Sequence, residues 1–299
     1  ERTVLVAGGR IVAVAEAGSA GEHTAAAIVD GRGAYVIPGL LDMHAHLGGR
    51  GVPEWLTTEW LMPLLIAHGV TGVRDMGSDC DADSRQTVCP ERVRALQRRI
   101  DAGELLGPRI LAISSLPINP PWDSELTAEQ VAGGLAMFAE HDLDNIKIYT
   151  RLSAASFALV MAEAGRLGLS ASGHIPLRVS TVEASNAGMR SIEHARDFLF
   201  DCFPGSAEFR RTSRTQDPPA DVMRAMVDEH DPAACEEVFA ALVDNDTWYV
   251  PTHLTRRMDA FAGDSAFRAD PRMQYLPPML RDQWNADADR MVARAPTAE

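Results

Sequence analysis

Two histidines stand two residues apart in Leu40-Leu-Asp-Met-His-Ala-His-Leu47. Side chains alternate along a β-strand, so His44 and His46 share one face about 7 Å apart and can converge on one metal ion. Packing or hydrogen bonding inside a sheet is the plainer alternative. In Asn145-Ile-Lys-Ile-Tyr149 the same alternation sends Ile146 and Ile148 to one face and Lys147 to the other, with Asn145 and Tyr149. If the isoleucines face surrounding helices, the lysine is interior. Desolvation there favours the neutral amine, which can capture CO2 as a carbamate, an anion whose two oxygens bridge cations. A lysine paired with a carboxylate, or reaching the rim, is the alternative. His174 ends Leu169-Ser-Ala-Ser-Gly-His174 and His194 ends Ser191-Ile-Glu-His194. Each alone reads more simply as a hydrogen-bonded core or rim histidine. Four histidines and a lysine, all at the tips or inner faces of four strands, point together to a metal centre.

The elements that must hold these groups follow from periodicity. From Val36 onward short apolar strands alternate with amphipathic helical segments, the pattern of βα units around a parallel sheet. Strands are predicted at Leu40 to His46, Gly72 to Asp75, Arg109 to Ile113, Asn145 to Tyr149, Leu169 to His174, Ser191 to His194 and Trp248 to Thr252. Pro53 and Pro90 suit first helical turns, Thr127-x-x-Gln130 and Ser180-x-x-Glu183 fit capping boxes, and Gly69, Gly103, Gly168 and Gly188 fit helix stops. The step between strands is that of a (β/α)8 TIM-type barrel, which typically needs about 250 residues. Seven of its eight strands are identifiable. A doubly wound open sheet is disfavoured, because no GxGxxG turn follows the first strand and no P-loop occurs. The stretch at about 197–246 is an insertion placed where a lid or substrate wall would form. Residues 1–36 read separately, as part of a small β-sandwich: Thr3 to Ala7 and Arg10 to Val14 joined by Gly8-Gly9, then a short strand at Ala26 to Val29. The barrel is expected over 37–299.

The 299 residues carry 28 Lys plus Arg against 42 Asp plus Glu, a net charge of −14, and no basic run. That balance argues against sequence-independent binding to nucleic acid or anionic lipid and favours a small-molecule partner. No apolar run approaches the roughly 18 residues of a membrane span. The chain opens on Glu1-Arg2-Thr3 without an initiator Met or a signal-peptide pattern. This leaves the compartment open, with the cytoplasm favoured over secretion or the periplasm. Cys80, Cys89, Cys202 and Cys235 are too few and too irregularly spaced for a disulfide framework or a CxxC zinc site, and free thiols are expected.

Taken together, Val36-Ile-Pro-Gly-Leu-Leu-Asp-Met-His-Ala-His-Leu47, Gly69-Val-Thr-Gly-Val-Arg-Asp-Met-Gly77, Gly107-Pro-Arg-Ile-Leu111, Ile146-Lys-Ile-Tyr149, Gly173-His-Ile-Pro176 and Ser191-Ile-Glu-His194 resemble the amidohydrolase superfamily. The likeness is to its imidazolonepropionase-like and Xaa-dipeptidase (prolidase-like) branch, and it runs to about His253. It implies His44 and His46 on a more buried ion, His174 and His194 on a second, and carbamylated Lys147 between them. Zinc suits the nitrogen and oxygen donors, with manganese or iron as alternatives. It also implies hydrolysis of a small amide, a dipeptide or N-acyl amino acid, by a hydroxide shared between the ions. Cyclic amides, lactones and organophosphates fall within the same chemistry.

The resemblance also implies an aspartate on an eighth strand, which this chain lacks. Asp282, Asp287 and Asp289 fall in a predicted helix, so the catalytic acid/base is unassigned and the chain reads as a fragment truncated at both ends. A non-catalytic metal-binding scaffold, or an inactive piece of an enzyme, is the competing reading. The unpaired first and seventh strands make self-association an expectation. Tyr149 is a candidate contact for a substrate carbonyl or carboxylate, with a packed core aromatic as the alternative. Arg178 and His253 are lesser candidates, His68 is expected to be structural at a helix C-terminus, and His23, His141 and His230 earn no role.

Overall fold

A computed structural model describes residues 1–18, 25–47, 55–77, 90–195, 197, 200–215 and 218–294. The predicted helix start at Pro53, His23 and the pair Cys80 and Cys89 lie outside the described residues. The chain divides into two compact units, Glu1–Gly39 and Leu40–Glu299.

In the first unit β1 (Arg2–Ala7) and β2 (Arg10–Glu16) form an antiparallel hairpin. Both turn glycines, Gly8 and Gly9, have positive φ, as a type I′ turn demands. The third strand expected at Ala26 to Val29 does not form. Ile28 and Val29 are largely exposed and pair with no strand, so the β-propensity of the segment has nothing to act on.

The second unit is a seven-stranded parallel sheet with its strands in chain order: β3 (Leu40–Ala45), β4 (Val70–Asp75), β5 (Arg109–Ile118), β6 (Asn145–Ile148), β7 (Ser170–Gly173), β8 (Ser191–Glu193) and β9 (Trp248–Val250). Every predicted barrel strand is present. The sheet curls until side chains of β3 and β4 touch those of β8, giving a nearly closed TIM-type barrel. Helices α1 (Met62–Ala67), α2 (Pro90–Asp101), α3 (Ala128–Glu140), α4 (Ala154–Leu167) and α5 (Thr181–Asn186) cross between strands. Both predicted capping boxes are formed, at Thr127 and Ser180. A π-helical turn, Leu56–Leu61, leads into α1.

Alternation does on β6 what the sequence predicts. Ile146 and Ile148 are buried outward against Val131 and Leu135 of α3 and Phe157 and Val160 of α4. Burying four such side chains contributes about 1.5–3 kcal/mol each, so this cluster fixes the register that points Asn145 and Lys147 inward. β5 runs five residues beyond its predicted end. Its extension is carried by Ser114 and Ser115, which do not read as an apolar strand but serve the interior: Lys147 N donates to Ser115 Oγ at 2.9 Å and Asn145 Nδ2 to Ser114 Oγ at 2.9 Å.

Between β8 and β9 lie α6 (Ser206–Thr212), α7 (Ala220–Asp228) and α8 (Pro232–Asp244). They pack through Leu177, Phe200, Phe203 and Met226, and a buried ion pair joins Arg210 to Asp201 at 2.5 Å. Here the expectation of free thiols fails: Cys202 and Cys235 form a disulfide across 33 residues of sequence. Linear spacing hid the pair, because folding of the inserted helices brings the two ends together. After β9 the chain continues as α9 (His253–Ala260), α10 (Ser265–Arg268), a 3-10 turn (Pro271–Tyr275) and α11 (Pro278–Arg294), which contains Asp282, Asp287 and Asp289. No helix among the described residues is long and apolar enough to cross a membrane.

Candidate metal centre

The five sequence-predicted ligands come together at the ends of four neighbouring and facing strands. Ring centroids of His44 and His46 are 5.4 Å apart, of His44 and His194 4.6 Å, and of His174 and His194 4.4 Å. Lys147 Nζ lies 3.4 Å from His44 Nε2. The lysine is 2% exposed and His174 4%. Tyr149 stacks on His174 with ring centroids 4.2 Å apart.

Each imidazole has its Nδ1 side against an oxygen. His44 Nδ1 lies 2.7 Å from Glu193 Oε2, His46 Nδ1 2.8 Å from the Gly77 carbonyl, His194 Nδ1 2.9 Å from Thr252 Oγ1, and His174 Nδ1 3.5 Å from Asp197 Oδ2. A carboxylate or a carbonyl only accepts, so Nδ1 carries the proton in His44 and His46 and the Nε2 lone pair is left for a cation. Burial lowers the pKa of His44, with the Glu193 bond opposing it, which keeps the ring in the neutral form a metal requires.

Glu193, fully buried, is the hub of this support. Its Oε1 receives Arg74 Nη2 at 2.6 Å and Ser191 Oγ at 2.6 Å, while Arg74 also donates from Nε to the Met43 carbonyl at 2.7 Å. Burial pushes the Glu193 carboxyl up, but the bonds from His44, Arg74 and Ser191 outweigh it and hold the group below its ordinary range. Burial likewise lowers Lys147, to about 8, so about a tenth of it is neutral at pH 7.

Two backbone features aim the ligands. Strict alternation on β8 would turn His194 away from Ser191 and Glu193. Its φ of 73° bends it back, an uncommon conformation of the kind that collects at functional sites. Thr252, its partner, is left-handed as well, with φ 47°. Before His174, Gly173 has φ 140°, and a Cβ there would collide with the Ile148 carbonyl. Only glycine lets β7 approach β6 this closely beside Lys147.

The donor set therefore suits divalent ions. Among the described residues no three of these histidines bring their nitrogens within 4.8 Å of one another.

Next to Tyr149 opens a cavity of about 420 Å³, lined also by Trp122, Arg151 and Arg214. Arg178, the lesser carboxylate candidate, is spent on the backbone carbonyls of Arg210 and Ser213. His253 begins α9 and is exposed. His68 caps α1 by bonding the Leu64 carbonyl at 2.9 Å. Sequence reasoning missed Arg74, Glu193 and Asp197. Arg74 and Glu193 carried a signal, since alternation on β4 and β8 places charged side chains inward and the interior must pair them. Asp197 stands in the loop after β8 and had none.

Solved structures share this fold. A bottromycin amidohydrolase is 21% identical, with a TM-score of 0.54 over 87% of this chain and 51% of that one. The chain has the fold of the amidohydrolases. An uncharacterized protein of known structure is 18% identical, with a TM-score of 0.51 over 84% of this chain and 73% of its own. In sequence, the adenine deaminase of Halalkalibacterium halodurans is 30% identical over 136 residues, 44% of this chain and 21% of that protein. The chain thus spans about half of the bottromycin amidohydrolase and a fifth of the deaminase. No family model matches it.

Proposed function

We propose that this chain carries the two-metal centre of a hydrolase that cleaves an amide bond in a small substrate, a dipeptide or an N-acyl amino acid. The observation that carries the reading is the convergence of four imidazoles around a buried lysine, three with Nδ1 bonded to an oxygen and the fourth, His174, with Nδ1 3.5 Å from Asp197 Oδ2. His44 and His46 would hold one divalent ion and His174 and His194 the other, zinc fitting the donors best. Neutral Lys147 adds CO2 to give a carbamate and one released proton, turning an expensive interior cation into a bridging anion. Bound ions of this kind activate water and polarise a carbonyl. The residues of this chain do the rest. Glu193 and Arg74 fix His44, Asp197 and Thr252 fix the rings of the second pair, and Tyr149 orients the substrate at the mouth of the cavity. Arg151 on the wall of that cavity favours a substrate with a carboxylate, beside Arg214, which pairs with Asp123 at 3.1 Å, and Trp122 offers a flat apolar surface.

The test combines metal analysis of protein prepared without chelator with a panel of dipeptides, N-acyl amino acids, cyclic amides, lactones and phosphotriesters. The reading expects about two equivalents of metal, fewer in His44→Ala, and turnover confined to amides bearing a carboxylate. Less than one equivalent, unchanged by His44→Ala, would overturn it. A second reading, a metal-binding unit without turnover, is favoured by one observation: two buried carboxylates beside the centre, Glu193 and Asp197, both face the Nδ1 side of a histidine. Full metal loading with no hydrolysis across the panel selects it.

A further inference from the structure

We infer that Cys202, His230 and Cys235 form a second, redox-gated metal site, closed as a disulfide under oxidising conditions and open to a soft divalent ion, zinc above all, when reduced. The site lies in the inserted helices and uses none of the barrel ligands. Its three donor atoms fall within 4.8 Å of one another. His230 Nε2 is 3.3 Å from Cys235 Sγ. Sulfur and nitrogen on a tetrahedral zinc, at about 2.3 and 2.0 Å, stand roughly 3.6 Å apart, so this edge of the polyhedron is almost formed already.

Backbone hydrogen bonds support the arrangement beside the sulfur–sulfur bond. Asp231 N donates to the Cys202 carbonyl at 2.7 Å, Asp231 Oδ1 accepts from Ala233 N at 2.9 Å, and Cys235 N donates to the Asp231 carbonyl at 3.1 Å. These bonds hold the turn carrying His230 against Cys202 and start α8 with Cys235 in its first turn. A helix N-terminus favours a thiolate over a thiol, the state a metal requires. Both cysteines are buried and His230 is exposed, so an ion would be reached from the imidazole side, with water as its fourth ligand.

The chemistry balances. A phosphine reductant gives two electrons and takes the oxygen of a water molecule to become its oxide, while the two protons of that water go to the sulfurs, giving two thiols. The ion then displaces those two protons as it takes two thiolates and the neutral imidazole. Reoxidation returns the sulfurs to the disulfide and expels the ion.

Cobalt(II) separates this site from the barrel, because only sulfur ligands give thiolate-to-cobalt charge-transfer absorption and the barrel donors are nitrogen and oxygen. The full chain is reduced with a phosphine, freed of reductant under anaerobic conditions and titrated with cobalt(II), beside an oxidised sample. The inference expects one additional equivalent in the reduced protein, accompanied by the charge-transfer band and lost on reoxidation. Cys235→Ser should abolish the band. His230→Ala, at an exposed position where folding is not at stake, should weaken cobalt binding by about tenfold or more while leaving the disulfide able to form. Equal cobalt uptake by reduced and oxidised protein, or a band unaffected by either substitution, would reduce the pair to a disulfide staple. Neither result bears on the barrel reading, which rests on His44 and its neighbours.

Discussion

Replacing Lys147 by Met should stabilise the metal-free protein, the opposite of what truncating a buried side chain does. The fold lowers the lysine from its ordinary 10.5 to about 8, chiefly through burial, with Glu193 opposing. At about 1.4 kcal/mol per pH unit this is a penalty of roughly 3 kcal/mol on the protonated form. The sign follows from proton counting. Above about pH 10.5 the amine is neutral in both the folded and the unfolded chain and costs nothing. As pH falls towards 8 the unfolded chain takes up a proton that the fold resists, and stability is lost. Methionine has a similar length and no charge, so Lys147→Met should gain about 2–3 kcal/mol at pH 7, with repacking offsetting under about 1.5 kcal/mol. The gain should shrink as pH approaches 10. Urea titrations of both proteins in chelator and CO2-free buffer, at pH 7 and pH 10, read this directly. A variant less stable than its parent at pH 7, or a difference independent of pH, would refute the burial argument. With zinc and bicarbonate supplied the order should reverse, since only the parent can offer a carbamate.

Removing Glu193 tests the support of His44. Glu193→Ala leaves Arg74 buried without its counter-charge and should cost about 3–5 kcal/mol in urea titration, Glu193→Gln less. In a competitive zinc titration either should weaken binding by about 10–100-fold, and unchanged affinity would detach the carboxylate from the centre. Acidification should destabilise the fold in two stages, because both groups are lowered by folding. His44 loses its contribution as pH falls below about 6.5, and Glu193 loses its own below about 4.5. Urea midpoints at pH 7, 5.5 and 4 follow the two losses, and a flat profile would deny them. Gly173→Ala should cost at least about 3 kcal/mol or abolish soluble expression, since φ 140° and the collision with Ile148 act together. A normal melting temperature would show that β7 can move aside.

The barrel strands were readable because each is a short apolar run between turn signals, and on β6 the two isoleucines alone decide which way Lys147 points. The inner layer was less readable. Ser114 and Ser115 extend β5 by pairing with β6 rather than by apolar burial, so hydrophobic pattern gave no reason to carry the strand past Ile113. The hairpin of the first unit followed from its Gly-Gly turn. Ala26 to Val29 failed by the same logic, since strand propensity is a statement about a partner strand and this segment pairs with none among the described residues.

The ligands and their supports differ in legibility for a physical reason. A histidine two residues from another on a strand announces itself locally, but what makes it a ligand is which nitrogen keeps its proton, and that is decided across the barrel. Glu193 reaches His44 over 149 positions and Arg74 over 119. His194 sharpens the point, since by alternation it should share the face of Ile192, which is buried against the helices. Only the left-handed φ, fastened by Thr252 two residues past β9, turns it to the other ligands. A site assembled this way is specified by pairs of distant positions. Substituting Thr252 should therefore disturb His194 about as much as changing a residue beside it would, although the two are 58 positions apart.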